Sequence, residues 1–350
     1  MRLFRNDYSE TAPRAVLQAL LDAEGEQNTG YGEDVHTAKA AELIKKRFGV
    51  PDGEVHLLTG GTQTNMTVIS FLLRPYEGVI ACETAHINVH ETAAVEGSGH
   101  KVFTCPSRDG KLAAEDIEKA AAYNCDEHMV KPAMVYISDS TETGTVYTRA
   151  ELAAIREVCD RHGFLLFIDG ARLGTALTCG ENDVDAELIG SVADVFYVGG
   201  TKNGLLSGEA VVFRDKRLAK DFRYHIKNRG AMLAKGFVLG IQFETLFAPD
   251  ERGGCLYFDL AASANRTARY VKTGISELIR NGKSDLSLEG SSPTNQIFIR
   301  LPLQKAEQLT ERFGCERWSD CGENRVVRIV TSFATKEEDC RELLDYLAAL

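Results

Sequence analysis

Short apolar runs recur along this chain. Each ends in a glycine-rich or polar turn, and they alternate with stretches of helical periodicity. Residues 55–58, 79–82, 101–104, 133–137, 164–168, 195–198 and 210–213 read as strands. Residues 13–23, the stretch from Asp34 to Phe48, 67–73, 115–123 and 149–162 read as helices. Asp34 is placed as a cap, with Ala40, Leu43, Ile44 and Phe48 on one face. Asp109-Gly110 reads as a turn. Regular alternation of this kind predicts an α/β fold, a mainly parallel sheet with helices on both faces. After it come helices over 216–228, 231–247 and 260–279, strands over 285–288, 296–299 and 326–330, and helices over 306–313 and 337–350. That tail predicts a small C-terminal α+β domain over 250–350, behind a large domain over 1–249 that includes the N-terminal segment. A chain of 350 residues accommodates both.

In open α/β sheets ligands bind at the carboxyl ends of the strands. Thr62, His86, Thr141, Asp169, Arg172 and Lys202 all fall at such ends, far apart in sequence. Lys202 follows the run Val195-Phe196-Tyr197-Val198 and a pliable Gly199-Gly200 turn, and Asp169 ends the run Phe164-Leu165-Leu166-Phe167-Ile168. A desolvated lysine can act as a nucleophile. Paired with a strand-end aspartate, it suits an aldehyde cofactor held as a Schiff base, with the aspartate on a pyridine nitrogen. That is the use made of pyridoxal 5'-phosphate. Thr59-Gly60-Gly61-Thr62, between a strand and a helix, offers free N–H groups to a phosphate, or is simply a capped helix start. It matches neither the dinucleotide nor the nucleoside-triphosphate loop. His86 and His90 share a helix face. Without an H-E-x-x-H pattern they predict no metal, and the alternatives are a ring stacked on a planar cofactor or a plain loop histidine. Arg328, inside the apolar run 326–330, needs an anionic partner, a substrate carboxylate or solvent on an edge strand.

A net charge of −11 argues against nucleic acid or an anionic membrane as a partner. Nine cysteines without a C-x-x-C pair, and an N-terminus without an apolar signal core, predict a reducing, cytoplasmic setting.

Taken together, Tyr31-Gly32-Glu33-Asp34, Gly61-Thr62 with Asn65, Ala85-His86-Ile87, Asp169-Gly170-Ala171-Arg172-Leu173, Thr201-Lys202 and Arg328-Ile329-Val330-Thr331 form a recognisable set. The chain resembles the threonine aldolases, in their low-specificity branch, within the β-eliminating lyases and aldolases of the aspartate-aminotransferase fold type (pyridoxal phosphate fold type I). The resemblance runs nearly end to end. It implies cleavage of L-threonine- or L-allo-threonine-type β-hydroxy amino acids to glycine and an aldehyde by breaking the Cα–Cβ bond. It implies that Lys202 anchors the cofactor, Asp169 pairs with its ring nitrogen, His86 stacks on the ring, and Gly61 and Thr62 hold the phosphate. Arg172, which also counts on the cofactor side, and Arg328 are implied to bind the substrate carboxylate, with Asn6 where the family usually has a serine. Tyr31 is expected to reach a neighbouring subunit's site, and Arg229 or Lys235 the neighbour's phosphate, so that the sites are shared in a homodimer or homotetramer. The hydroxyl proton is left to His86, His90 or an ordered water. His90 stands where many members have tyrosine, and the loop Ser140-Thr141-Glu142-Thr143-Gly144 is shorter and lacks their histidine. These differences touch the substrate side. β-Elimination or transamination on the same frame is the alternative, and a non-catalytic pyridoxal-phosphate-binding module is the rival from another class.

Overall fold

The computed structural model describes residues 3–107, 109–283 and 285–350. Met1 and Arg2, the start of the stretch read for a signal core, lie outside them. The first seven strands are β1 (Glu54–Leu58), β2 (Glu77–Cys82), β3 (Val102–Cys105), β4 (Lys131–Ser138), β5 (Leu165–Asp169), β6 (Val195–Gly199) and β7 (Glu209–Phe213). They form one sheet in the order β1-β7-β6-β5-β4-β2-β3. β7 runs against both its neighbours and the other strands share one direction. Successive residues of a strand face opposite sides, so β2, β6 and β7, buried at every position, are covered on both faces. Helices supply that cover, among them Val35–Arg47, Gly61–Leu72, Arg149–His162 and Phe237–Phe247. Local chemistry fixes their starts. The Asp34 carboxylate accepts from the Thr37 N–H (2.7 Å), and Thr148 and Glu151 form a reciprocal capping box.

Three helix starts lie six residues from expectation. The helix expected from residue 67 begins at Gly61, because Gly60 is extended and frees the chain to turn at once, so Thr62 and Asn65 are helical. The helix expected over 216–228 spans Phe222–Asn228. Asp215 draws the Arg217 side chain and N–H into a turn, and Asp221 is left-handed (φ 69°). The helix expected over 231–247 begins at Phe237, because Ala234 is held by the Tyr31 N–H (3.0 Å) against the loop around Gly30.

The second sheet contains β8 (Ser287–Glu289), β9 (Gln296–Pro302), β10 (Glu316–Cys321) and β11 (Asn324–Val330), antiparallel in the order β10-β11-β9-β8. It has its own core, which includes Val271, Ile275, Ile299, Ile329 and Leu343. The helix Leu256–Arg280 joins the two, with Tyr257 in the first core and Val271 in the second. Phe4 also lies in the second core, fully buried, with backbone bonds to Phe313 and Val330. Among the described residues no helix is long and apolar enough to cross a membrane.

Candidate active site

The carboxyl ends of β1, β2, β4, β5 and β6 converge on a cavity of about 270 Å³. Asp169 closes β5 and is buried. Its Oδ1 accepts from the Tyr197 hydroxyl (2.5 Å) and the Ala171 N–H (3.0 Å), and its Oδ2 from the Tyr136 hydroxyl and Asn65 Nδ2 (3.0 Å). Burial pushes this carboxyl up. The His86 charge and the two tyrosine hydroxyls outweigh burial and hold it below the ordinary aspartate range. Burial, then the Asp169 charge, keeps both phenols protonated.

Lys202 lies on the single turn Thr201–Asn203 that follows β6. Two glycines bring it towards Asp169. A Cβ on Gly170 would stand 1.9 Å from the Tyr197 carbonyl oxygen, and one on Gly199 2.4 Å from that of Ala171. Burial, then the Arg172 cation, holds the Lys202 amine below the usual lysine range, against the pull of Asp7, Asp169 and Glu209. Among the described residues none accepts a hydrogen bond from its Nζ, which lies 6.0 Å from the Tyr8 ring. Because β7 runs backwards, its first residue, Glu209, arrives at the edge where the other strands end. It accepts from the Gly200 N–H (3.2 Å), and burial raises its carboxyl to about 8.

His86 lines the cavity, and its Nδ1 is 2.8 Å from the buried Glu91 carboxylate. Asn65 also donates to Glu91 (2.8 Å), so one amide ties the carboxylates of Glu91 and Asp169 together. The His86 N–H donates to Glu142 Oε1 (3.0 Å), which the Ser138 hydroxyl shares (2.7 Å). Burial raises the Glu142 carboxyl. The His90 ring lies 5.5 Å from that of His86; partial burial, then the charges of His86 and Arg328, holds it below the usual histidine range.

The arginines are already engaged. Arg172 lines the cavity and grips Asp7 with two bonds, from Nε (2.7 Å) and Nη2 (2.9 Å). Burial opposes ionisation of Asp7, but Arg172 prevails and its carboxyl is held low. Arg328, on β11, lies outside the cavity lining and donates to Gln296 and Glu316. Asn6 accepts from the Tyr8 N–H (3.1 Å) and the Ser9 hydroxyl (2.8 Å), a turn that presents Tyr8 to the cavity. Tyr31 is exposed, with Lys227 4.8 Å from its ring, and Arg229 rests beside His225. Neither they nor Lys235 line this chain's cavity.

Sequence reasoning missed Asp7, Glu209, Tyr136 and Tyr197, and gave Glu142 no role. The tyrosines carried a signal, since a hydroxyl inside an apolar strand needs a partner. Asp7 carried none beyond its place next to Asn6.

This set fits pyridoxal 5'-phosphate. The Lys202 amine, unpartnered among the described residues, could hold an aldehyde, and the ionised Asp169 a protonated ring nitrogen. Gly61 and Thr62 begin a helix of 12 residues, whose first N–H groups have no intrahelical acceptor and could take a phosphate.

The beta-eliminating lyase family profile matches residues 4–285. The low specificity L-threonine aldolase of Pseudomonas sp. (strain NCIMB 10558) is 33% identical over 344 residues, covering 97% of this chain and 94% of its own. The Saccharomyces cerevisiae protein of the same name is 23% identical, over 85% of this chain and 73% of its own. The structure of Leishmania major threonine aldolase superposes with a TM-score of 0.94 at 40% identity, covering 100% of this chain and 99% of that one. Thermus thermophilus aspartate aminotransferase, at 17% identity and a TM-score of 0.73 over 99% of this chain and 91% of its own, shares the fold.

Proposed function

The chain belongs to the β-eliminating lyase family, and on that footing we propose that it cleaves L-threonine- and L-allo-threonine-type β-hydroxy amino acids to glycine and an aldehyde, using pyridoxal 5'-phosphate. One observation carries the reading: a half-buried lysine amine with no hydrogen-bond acceptor among the described residues and a buried, ionised aspartate stand on the walls of one cavity.

Pyridoxal phosphate, when bound, supplies a ring that takes up the electron pair left on Cα as the Cα–Cβ bond breaks. Lys202 is the nucleophile for the aldehyde, its amine eased towards the neutral form by burial and by Arg172. Asp169 would keep a proton on the ring nitrogen, and the tyrosines and Asn65 keep Asp169 ionised for that task. Gly61 and Thr62 would take the phosphate. His86, fixed by Glu91 and Glu142, would cover the ring. The fork of Arg172 is filled by Asp7, so Arg172 tunes Lys202 and the substrate carboxylate falls chiefly to Arg328. We assign the hydroxyl proton to the His90 ring, which is neutral at pH 7 and free of the tie that binds His86. Asn6 supports the substrate side through Tyr8.

Borohydride reduction of the holoenzyme should fix the cofactor on Lys202, and glycine and aldehyde should appear in equal amounts. Pyruvate and ammonia in their place would overturn the reading. His90 acts as a base only when neutral, so the acid limb of kcat/KM should lie below the ordinary histidine value of 6.5 and move when His90 is replaced by asparagine. A limb above it rules His90 out.

The working unit is read as a homodimer or homotetramer in the cytoplasm. Tyr31 and Arg229 lie away from their own cavity, on a surface where Tyr224 and Leu233 are also exposed, and seven of the nine free thiols are buried. Light scattering that finds a fully active monomer would end this assignment.

A further inference from the structure

The two arginines with carboxylate-binding chemistry are held by acids in different ways. Arg172 uses two nitrogens on Asp7, whose side chain is 1% exposed and is also held by Asn295 Nδ2 (3.0 Å). That pair is locked. Arg328 is held loosely. Its Nη1 donates to the buried Gln296 Oε1 (2.9 Å). Its Nη2 donates to a single oxygen of Glu316, whose side chain is 40% exposed. Its Nε is buried and has no partner among the described residues. The guanidinium carbon lies 5.2 Å from the centre of the Trp318 ring.

A carboxylate engages guanidinium best with two parallel bonds, and the Nε–Nη2 edge is one such fork. On Arg328 that edge is half used, with Glu316 on Nη2 and nothing on Nε. Glu316 opens β10, the outer strand of its sheet, which among the described residues pairs with β11 alone, so the side chain has room to leave. Gln296 does not share that freedom. Its Nε2 donates to the Thr141 carbonyl (3.2 Å), which anchors Arg328 to the loop that carries Glu142.

We propose that Glu316 is a displaceable stand-in for the substrate carboxylate. It neutralises Arg328 in the free protein. An incoming amino-acid carboxylate takes Nε and Nη2 together and returns Glu316 to water, while Gln296 holds the guanidinium in place. Glu316 thereby weakens the binding of every carboxylate ligand by the energy of its own pairing, and an amine without a carboxylate cannot dislodge it. This inference rests on Arg328 as the carboxylate site of the proposed reaction.

The test titrates the holoenzyme with glycine and with ethanolamine, following cofactor absorbance, in the wild type, Glu316→Gln, Arg328→Ala and the double variant. Glu316→Gln should tighten glycine by about two- to fivefold, the worth of a half-exposed ion pair. The KM for L-threonine should fall by the same factor and ethanolamine binding should not move. In the Arg328→Ala background the Glu316 substitution should have no effect. Glu316→Ala repeats the comparison without an amide in place of the acid. Unchanged or weaker glycine binding in both Glu316 variants, with Arg328→Ala still weakening it, removes the stand-in and leaves the carboxylate site standing. Glycine binding indifferent to Arg328→Ala removes both.

Discussion

Asp7 and Arg172 form the most heavily buried ion pair at the site, and breaking such a pair leaves an uncompensated charge. Asp7→Asn should therefore lower unfolding stability by about 3–5 kcal/mol at pH 7, read by urea titration. The Asp7 carboxyl titrates below its ordinary 3.8 in the folded state, so its contribution is complete at neutral pH. It is lost as the pH falls through the lower folded value, and the gap between wild type and variant should close on acidification. A gap that persists in acid would show that the loss is steric. At this scale the sequence marked the residues whose position at a strand end is itself the signal, Lys202 and Asp169. It could not mark Asp7, whose partners are 165 and 288 residues away. Glu209 was hidden for another reason: its placement depends on the direction of β7, and an apolar run has no direction.

The ends of β5 and β6 approach so closely that neither turn admits a side chain. Gly170→Ala drives a methyl group into the Tyr197 carbonyl, backbone that cannot step aside. Overpacking of this kind costs about 1–3 kcal/mol, and the melting temperature should fall accordingly. The same displacement parts Asp169 from Lys202, so cofactor retention on dialysis should fall with it. Retention equal to wild type would show that the spacing of the strand ends does not matter to the site. The central strands of the large sheet were legible because a strand buried on both faces is largely apolar. β10 was not, since Glu316-Arg317-Trp318-Ser319-Asp320-Cys321 is mostly exposed and has no apolar alternation. The reversal of β7 had a readable cue that the periodicity ignores. Only residues 200–208 separate it from β6, too few for the crossover that a parallel neighbour requires.

Two cores, one long helix between them and an N-terminal segment returning to the second core make up the whole molecule. The 25 residues of Leu256–Arg280 extend about 38 Å at 1.5 Å per residue, enough to belong to both cores. Phe4 is fully buried in the second core, 6.0 Å from the Phe313 ring. Phe4→Ala should cost about 3–5 kcal/mol of stability, measured by denaturant unfolding. It should also weaken amino-acid binding, because the same segment delivers Asp7 and Tyr8 to the site. A variant with lowered stability and unchanged KM would uncouple the two. The docking of this segment also has a consequence in time. A ribosome makes residues 3–8 long before it makes their anchors at Asn295, Phe313 and Val330. Between the synthesis of Arg172 and that of Val330 the chain therefore carries an Arg172 without its counter-ion, and the site is completed only once those anchors have been made. The segment of the site that is made before all the others is the last to be put in place.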